Sequence, residues 1–383
     1  MSKRISCVVS LCVSLTLATA GQADQKSTTP GSSKVFLFST AGGELPMSLP
    51  LLGLSAAVAA TLKSQGYTVT EMIDSSGCAD DDPKDATVVN FLKTNKAGVL
   101  VVLVHGDKDA ITVERYKTKE ARDRAFRKYI ADGSFNEHEL STSTSGEDTA
   151  DRPRCFGIDL TARGIEDRWS DENVIVNNTI VVLLACEALP LADAFAARDF
   201  FGYDRCVSNL DAFSDAGKLL DRLAGGVVDP ANKDARRTTA AFAAGGYSAG
   251  FRHKRRGDVD TVLAPSITQH VPRNNEKIRV PRQGVDGAVV FDARMDRTMD
   301  PANVITVDGC GARINNATWS SPSSLDFSLE LNRPGEAILT VHSSRAIAER
   351  DFQNKFDGNT DPPGSNHVGP NGDDFKWKVN CVR

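Results

Sequence analysis

Two stretches, Gly98-Val99-Leu100-Val101-Val102-Leu103-Val104-His105-Gly106 and Thr179-Ile180-Val181-Val182-Leu183-Leu184-Ala185-Cys186-Glu187, decide how this chain is read. Each is a continuous apolar run, rich in β-branched residues and bounded by small or polar ones. That is the pattern of a strand buried on both faces, as in a parallel sheet. Ligands of such sheets bind beyond the carboxyl ends of the strands. His105 and Cys186 fall at those ends, where neighbouring strands would hold an imidazole and a thiol in one crevice, the arrangement a nucleophile and its base require.

At 383 residues the chain is long enough for two domains, and 40% hydrophobic with 25% charged residues describes an ordinary globular protein. A net charge of -5 provides no basic stripe for phosphates, so no nucleic-acid partner is expected. The short basic run His253-Lys254-Arg255-Arg256 is expected to be a solvated turn.

Lys3 and Arg4 precede an apolar stretch from Ile5 to Ala18, followed by the small-residue pattern Ala18-Thr19-Ala20. Residues 1–20 are expected to be a signal peptide and 21–33 a flexible leader, so the mature chain is expected to be exported. Without Cys7 and Cys12, the mature chain keeps Cys78, Cys155, Cys186, Cys206, Cys310 and Cys381. An even set in an oxidising compartment allows three disulfides, one of them consuming Cys186. Against that, Pro190 and Leu191 to Ala197 suggest a helix whose N-terminus faces the thiol and favours its ionised form.

Strands and helices alternate up to about residue 265. Val35 to Phe38, Tyr67 to Ile73, Asp199 to Tyr203 and Val259 to Leu263 read as further strands. Leu54, Val58 and Leu62 recur at helical spacing, and Ala86 to Leu92, Glu114 to Ile130, Phe213 to Leu223 and Arg236 to Ala244 also read as helices. Residues 133–154, rich in Ser, Thr, Asp, Glu and Gly, are expected to form a mobile insertion, with Arg152 and Arg154 as exposed sites of cleavage.

This order of elements, with His105-Gly106 closing one strand and Ala185-Cys186 another, resembles the caspase-like fold of clan CD cysteine peptidases. Ala185-Cys186-Glu187 is similar to the motif of CHAT-type and legumain-like members. The resemblance covers residues 34–265 and implies a mostly parallel six-stranded sheet flanked by helices. It also implies Cys186 as nucleophile, His105 as general acid and base, and the backbone N–H groups of Gly106 and Cys186 as an oxyanion hole. Leu184 stands where relatives that cleave after basic residues or asparagine often carry an acid. Asp159 and Asp204, at expected strand ends, are candidates for a specificity pocket. The substrate would be a protein or peptide, with no cofactor and no metal.

Two other readings compete. Gly246-Tyr247-Ser248-Ala249-Gly250 matches the G-x-S-x-G pattern of serine α/β-hydrolases, but the preceding residues are Ala-rich and helix-like where a nucleophile elbow needs a strand. A non-catalytic secreted binding or adhesion protein could retain the same scaffold.

Residues 266–285, rich in Pro, Asn and Arg, are expected to be a linker. In residues 286–383, short strand candidates separated by turns suggest a β-sandwich, and the segment resembles bacterial Ig-like domains of the S-layer-associated type. Such a domain would hold the catalytic one against a cell-surface or extracellular partner, and Cys310 and Cys381 would bridge within it. Asp357, Asn359, Asp361, Asp373 and Asp374 lack EF-hand spacing, and His342 and His367 have no ligand spacing.

Overall fold

The structure, a computed structural model, describes residues 27–30, 32–40, 56, 59, 60, 62, 63, 67–74, 78, 82–146, 154–169, 179–223, 237–258, 260–263, 267–291, 295–346 and 374–383. The expected signal peptide, residues 147–153 of the expected insertion, Asp357 to Asp373 and His367 lie outside them. So do Leu54 and Val58, two of the residues at helical spacing.

In the first part of the chain the strands are β1 (Ser27–Thr28), β2 (Lys34–Ser39), β3 (Thr68–Ile73), β4 (Val99–Leu103), β5 (Ala110–Tyr116), β6 (Leu140–Ser145), β7 (Cys155–Thr161), β8 (Ile180–Leu184), β9 (Asp199–Tyr203), β10 (Phe251–Arg255) and β11 (Asp260–Thr261). Six of them form one sheet in the order β10-β9-β8-β4-β2-β3, parallel throughout except where β10 runs against β9. All five residues of β4 and all five of β8 are buried. Their side chains alternate between two cores, as strand geometry requires. Leu100, Val102, Val181 and Leu183 enter one core with Ile111, Leu160 and Trp169. Val99, Val101, Leu103, Ile180, Val182 and Leu184 enter the other, against Phe213, Ala216, Leu219 and Leu220 of the helix Asn209–Leu223.

The span between β4 and β8 is more regular than its composition suggests. β5, β7 and β6 make a three-stranded antiparallel sheet. Glu114 to Tyr116 therefore belong to a strand, and the charged helix runs Lys119–Ala131, capped by the Thr118 hydroxyl, which accepts from the Ala121 N–H. The expected loop over 133–154 also needs correction: Leu140–Ser145 pairs with β7 along its whole length. Its Ser/Thr alternation leaves one side chain of each pair exposed and turns the other inward, which a half-buried strand tolerates as well as a loop does. The disulfide Cys78–Cys155 ties the start of β7 to the segment after β3, with Cα atoms 5.5 Å apart.

The sixth strand of the large sheet is another correction. The basic run at 253–256, expected to be a turn, is mostly β10: Phe251 is buried, His253 points inward, and Arg252 and Lys254 point to solvent. Charged residues on the outward positions are what an edge strand carries. Residues 260–261, where the sixth strand was expected, instead pair with β1.

Strands β12 (Ile267–Val271), β13 (Glu276–Arg279), β14 (Arg282–Phe291), β15 (Ile305–Gly309), β16 (Arg313–Ser321), β17 (Ser324–Leu331), β18 (Gly335–Val341) and β19 (Phe375–Val382) form two four-stranded sheets, β12-β14-β17-β16 and β13-β19-β18-β15. One core contains Phe291, Leu325 and Leu329 from the first sheet and Leu339, Trp377 and Val379 from the second. Residues 267–271 and 276–279 are strands of these sheets, so the expected linker over 266–285 is largely ordered β-structure; its prolines flank the strands. Cys310 and Cys381 are bonded, as expected, with Cα atoms 6.5 Å apart.

Among the described residues, no helix is long and apolar enough to cross a membrane.

Candidate active site

The geometry at the carboxyl ends of β4 and β8 follows from register. Val99 pairs with Ile180 and Leu103 with Leu184, a constant offset of 81 residues (180 − 99 = 184 − 103 = 81). The same offset separates His105 from Cys186 (186 − 105 = 81). The two residues thus stand at the same level on adjacent strands, one pleat beyond the last pair. The Val104 N–H still donates to the Leu184 carbonyl at 3.4 Å, so the alignment persists past the strands proper. Continuing the alternation places both on the face that carries Val99, Leu103, Ile180 and Leu184. For Cys186 this is seen directly: the Val207 N–H donates to its Sγ at 3.4 Å, and Val207 packs against that same core. His105 and Cys186 are both half-buried.

After His105 the chain reverses. The Thr112 N–H donates to the His105 carbonyl at 2.8 Å and the Asp107 N–H to the Ala110 carbonyl at 3.0 Å, bracketing a bridge between Gly106 and Ile111. This is the non-hydrogen-bonded kind of antiparallel pair, in which the N–H of Gly106 points away from β5. The Asp107 carboxylate closes the turn by accepting from the Asp109 and Ala110 N–H groups. A Cβ on Gly106 would lie 2.8 Å from the Ala110 carbonyl oxygen and 3.3 Å from the Ala185 Cβ, so only glycine fits.

On the other strand, Glu187 has φ 51°, the left-handed region that a side chain rarely takes, and its N–H donates to the Arg205 carbonyl at 3.1 Å. The chain therefore turns sharply directly after the thiol. The helix expected at 191–197 is only a four-residue 3-10 turn, Leu189–Ala192, too short to act as a dipole on Cys186. The donor that does reach the sulfur is the Val207 N–H, just ahead of the helix Asn209–Leu223.

Cys206 is the residue the sequence reading left without a role. It is exposed and unbonded, and with Cys186 it makes up the free cysteines of the described residues. Its thiol is pushed up, first by hydrogen bonding with Cys186, then by the charge of Cys186, and to a lesser degree by burial. The signal available in the sequence was arithmetic: with Cys186 unpaired, an odd cysteine remained.

Asp159 and Asp204 stand apart from the thiol and imidazole in their bonding. The Asp159 carboxylate is buried and accepts from the Thr112 hydroxyl at 2.7 Å and the Ser143 hydroxyl at 2.8 Å, within the three-stranded sheet. Burial pushes it above the usual carboxylate range. Asp204 is paired with Arg252 at 2.9 Å and Arg205 at 3.3 Å.

Ser248 lies between the helix Thr238–Ala243 and β10, the reverse of the strand, turn and helix order of a nucleophile elbow. Its N–H donates to the buried Asp215 carboxylate at 2.9 Å, and nearby His253 is bonded to Asp199 at 2.7 Å. His342 is held by Thr306 and Asp374. Among the described residues, no group of three or more His, Cys, Asp or Glu could hold a metal ion.

No family model matches the chain. Among solved structures it is similar to the crystal structure of the Arg-specific cysteine proteinase gingipain R (RGPB), at 10% identity and a TM-score of 0.38, covering 94% of this chain and 70% of that one. It is also similar to the complex of Porphyromonas gingivalis RgpB pro- and mature domains, at 11% identity and a TM-score of 0.39, covering 94% of this chain and 71% of that one.

Proposed function

We propose that the chain is an exported cysteine endopeptidase that hydrolyses peptide bonds through Cys186 and His105. The observation that carries this reading is the shared offset of 81 residues, which sets the thiol and the imidazole at one level on neighbouring strands. In this reading the Cys186 thiolate attacks the scissile carbonyl carbon, and the electron pair of the carbonyl moves onto its oxygen. The backbone N–H groups of Gly106 and Cys186 receive that oxyanion; the bridge to Ile111 leaves the Gly106 N–H pointing away from β5, which supports the role. His105 gives a proton to the leaving amine, and an acyl-enzyme forms on Cys186. Water, deprotonated by His105, then releases the acid product.

Backbone donors held by a strand end and a tight turn need no rearrangement as charge develops, which is the advantage of such a site. Asp204 contacts substrate in this reading only if it gives up its arginine partners, and Asp159 has a structural role. The two disulfides support export, since such bonds persist in oxidising compartments. The paired C-terminal sheets support an Ig-like sandwich that holds the catalytic part near a surface partner.

Site-resolved alkylation of the folded, unreduced protein tests the pair. Rapid labelling of Cys186 near neutral pH, slowed in His105→Ala, is expected together with hydrolysis in a peptide library. Labelling indifferent to His105, with no peptide cleaved, overturns the reading.

A further inference from the structure

Cys186 and Cys206 are neighbours through the segment Arg205 to Val207. The Glu187 N–H donates to the Arg205 carbonyl at 3.1 Å, and the Val207 N–H donates to the Cys186 sulfur at 3.4 Å. Cys206 lies between these contacts, so the backbone on both sides of it is fastened to the Cys186–Glu187 turn. Its side chain is exposed, whereas Cys186 is half-buried. The four other cysteines of the described residues are already bonded, Cys78 to Cys155 and Cys310 to Cys381. Two free thiols side by side, one reachable from solvent, are the elements of an exchangeable disulfide.

We propose that Cys186 and Cys206 form a reversible intramolecular disulfide, a modification site that masks the Cys186 sulfur under oxidising conditions. The oxidant is a low-molecular-weight disulfide, RSSR. The Cys186 thiolate attacks one sulfur of RSSR, forming a mixed disulfide and expelling one RS⁻. Cys206 then loses its proton to solvent, and its thiolate attacks the Cys186 sulfur, expelling the second RS⁻. The protein loses two electrons and two protons, and RSSR becomes two RSH. The raised Cys206 thiol is consistent with this order, in which Cys186 reacts first and Cys206 resolves.

Masking has a catalytic consequence only if Cys186 is the nucleophile, so that part rests on the peptidase reading. A protein exported through an oxidising compartment would then be silent until a thiol reductant reaches it. The bond also protects the sulfur, because a disulfide is recovered by reduction whereas a sulfinic acid in general is not.

The experiment is non-reducing peptide mapping of the full folded chain after titration with oxidised glutathione, on wild type and on Cys206→Ala. Wild type is expected to yield a peptide linking Cys186 to Cys206, reversed by dithiothreitol. Cys206→Ala is expected to accumulate glutathione on Cys186, at a level about tenfold or more above wild type, because an intramolecular thiol outcompetes a dilute external one. Wild type that keeps both thiols alkylatable, or that holds a lasting glutathione adduct on Cys186, overturns the proposal. The wild-type map decides even if the variant fails to fold. If the reduced protein cleaves no peptide, the peptidase reading falls, and the map still decides the disulfide.

Discussion

Gly106 and Ile111 face each other across a single antiparallel bridge, and the bonds on either side of it run from Thr112 to His105 and from Asp107 to Ala110. The reversal leaves so little space that a methyl group on Gly106 would come within 2.8 Å of the Ala110 carbonyl oxygen. Backbone, not a flexible side chain, would have to move. Gly106→Ala is therefore expected to cost about 1–3 kcal/mol of stability by overpacking. By shifting the N–H assigned to the oxyanion, it is also expected to lower kcat about 100-fold while changing KM little. Urea denaturation and steady-state kinetics on one cleaved peptide check both; unchanged kcat in a folded variant removes Gly106 from the site.

Cys186→Ala and His105→Ala are each expected to lower kcat/KM by about 1,000-fold or more, and the double variant by scarcely more than either single one. Groups that act as a unit are non-additive in this way. Losses that multiply would show that the two side chains work separately.

Ser248 offers a control. Its N–H is spent on Asp215 and its motif joins a helix to an edge strand, so Ser248→Ala is expected to leave kcat/KM within about twofold of wild type. A collapse of activity in this variant alone would reverse the assignment of the nucleophile.

Glu114 is buried and accepts from the Tyr116 hydroxyl at 2.7 Å, from the Tyr129 hydroxyl and from the Val88 N–H. Burial holds its carboxyl above the usual range, against the lowering effect of these bonds. The folded protein therefore keeps a proton that the unfolded chain has already released. Its contribution is fully present below the unfolded carboxylate value and is lost as pH rises toward the folded one. Glu114→Gln removes that loss, so its stability relative to wild type is expected to increase between pH 4 and pH 7, measured by urea denaturation. A difference independent of pH would mean that Glu114 titrates alike in both states.

The Cys78–Cys155 bond closes a span of 77 residues. On the chain-entropy account, replacing both cysteines by serine is expected to cost about 4 kcal/mol, by freeing the unfolded chain. Thermal unfolding of the double variant beside wild type, both without reductant, measures it.

The large sheet and its two chemical residues were legible from the sequence because β4 and β8 are buried on both faces. That environment demands uninterrupted apolar β-branched residues and marks each strand's end with the first polar side chain. Cys310 and Cys381, and the strands β14 to β19, were legible for a related reason: alternation and turn residues are local properties. β6, β10, β12 and β13 were not, since an edge or half-exposed strand tolerates Ser, Thr, Lys and Arg, and so resembles a loop in composition. What only the tertiary structure decided is pairing. Register sets His105 level with Cys186, a sharp turn at Glu187 brings Arg205 to Val207 alongside, and Cys206 thereby becomes the neighbour of Cys186. No local pattern encodes contacts between segments 20 or 80 residues apart. They arise from strands aligning so that backbone hydrogen bonds and both hydrophobic cores are satisfied together.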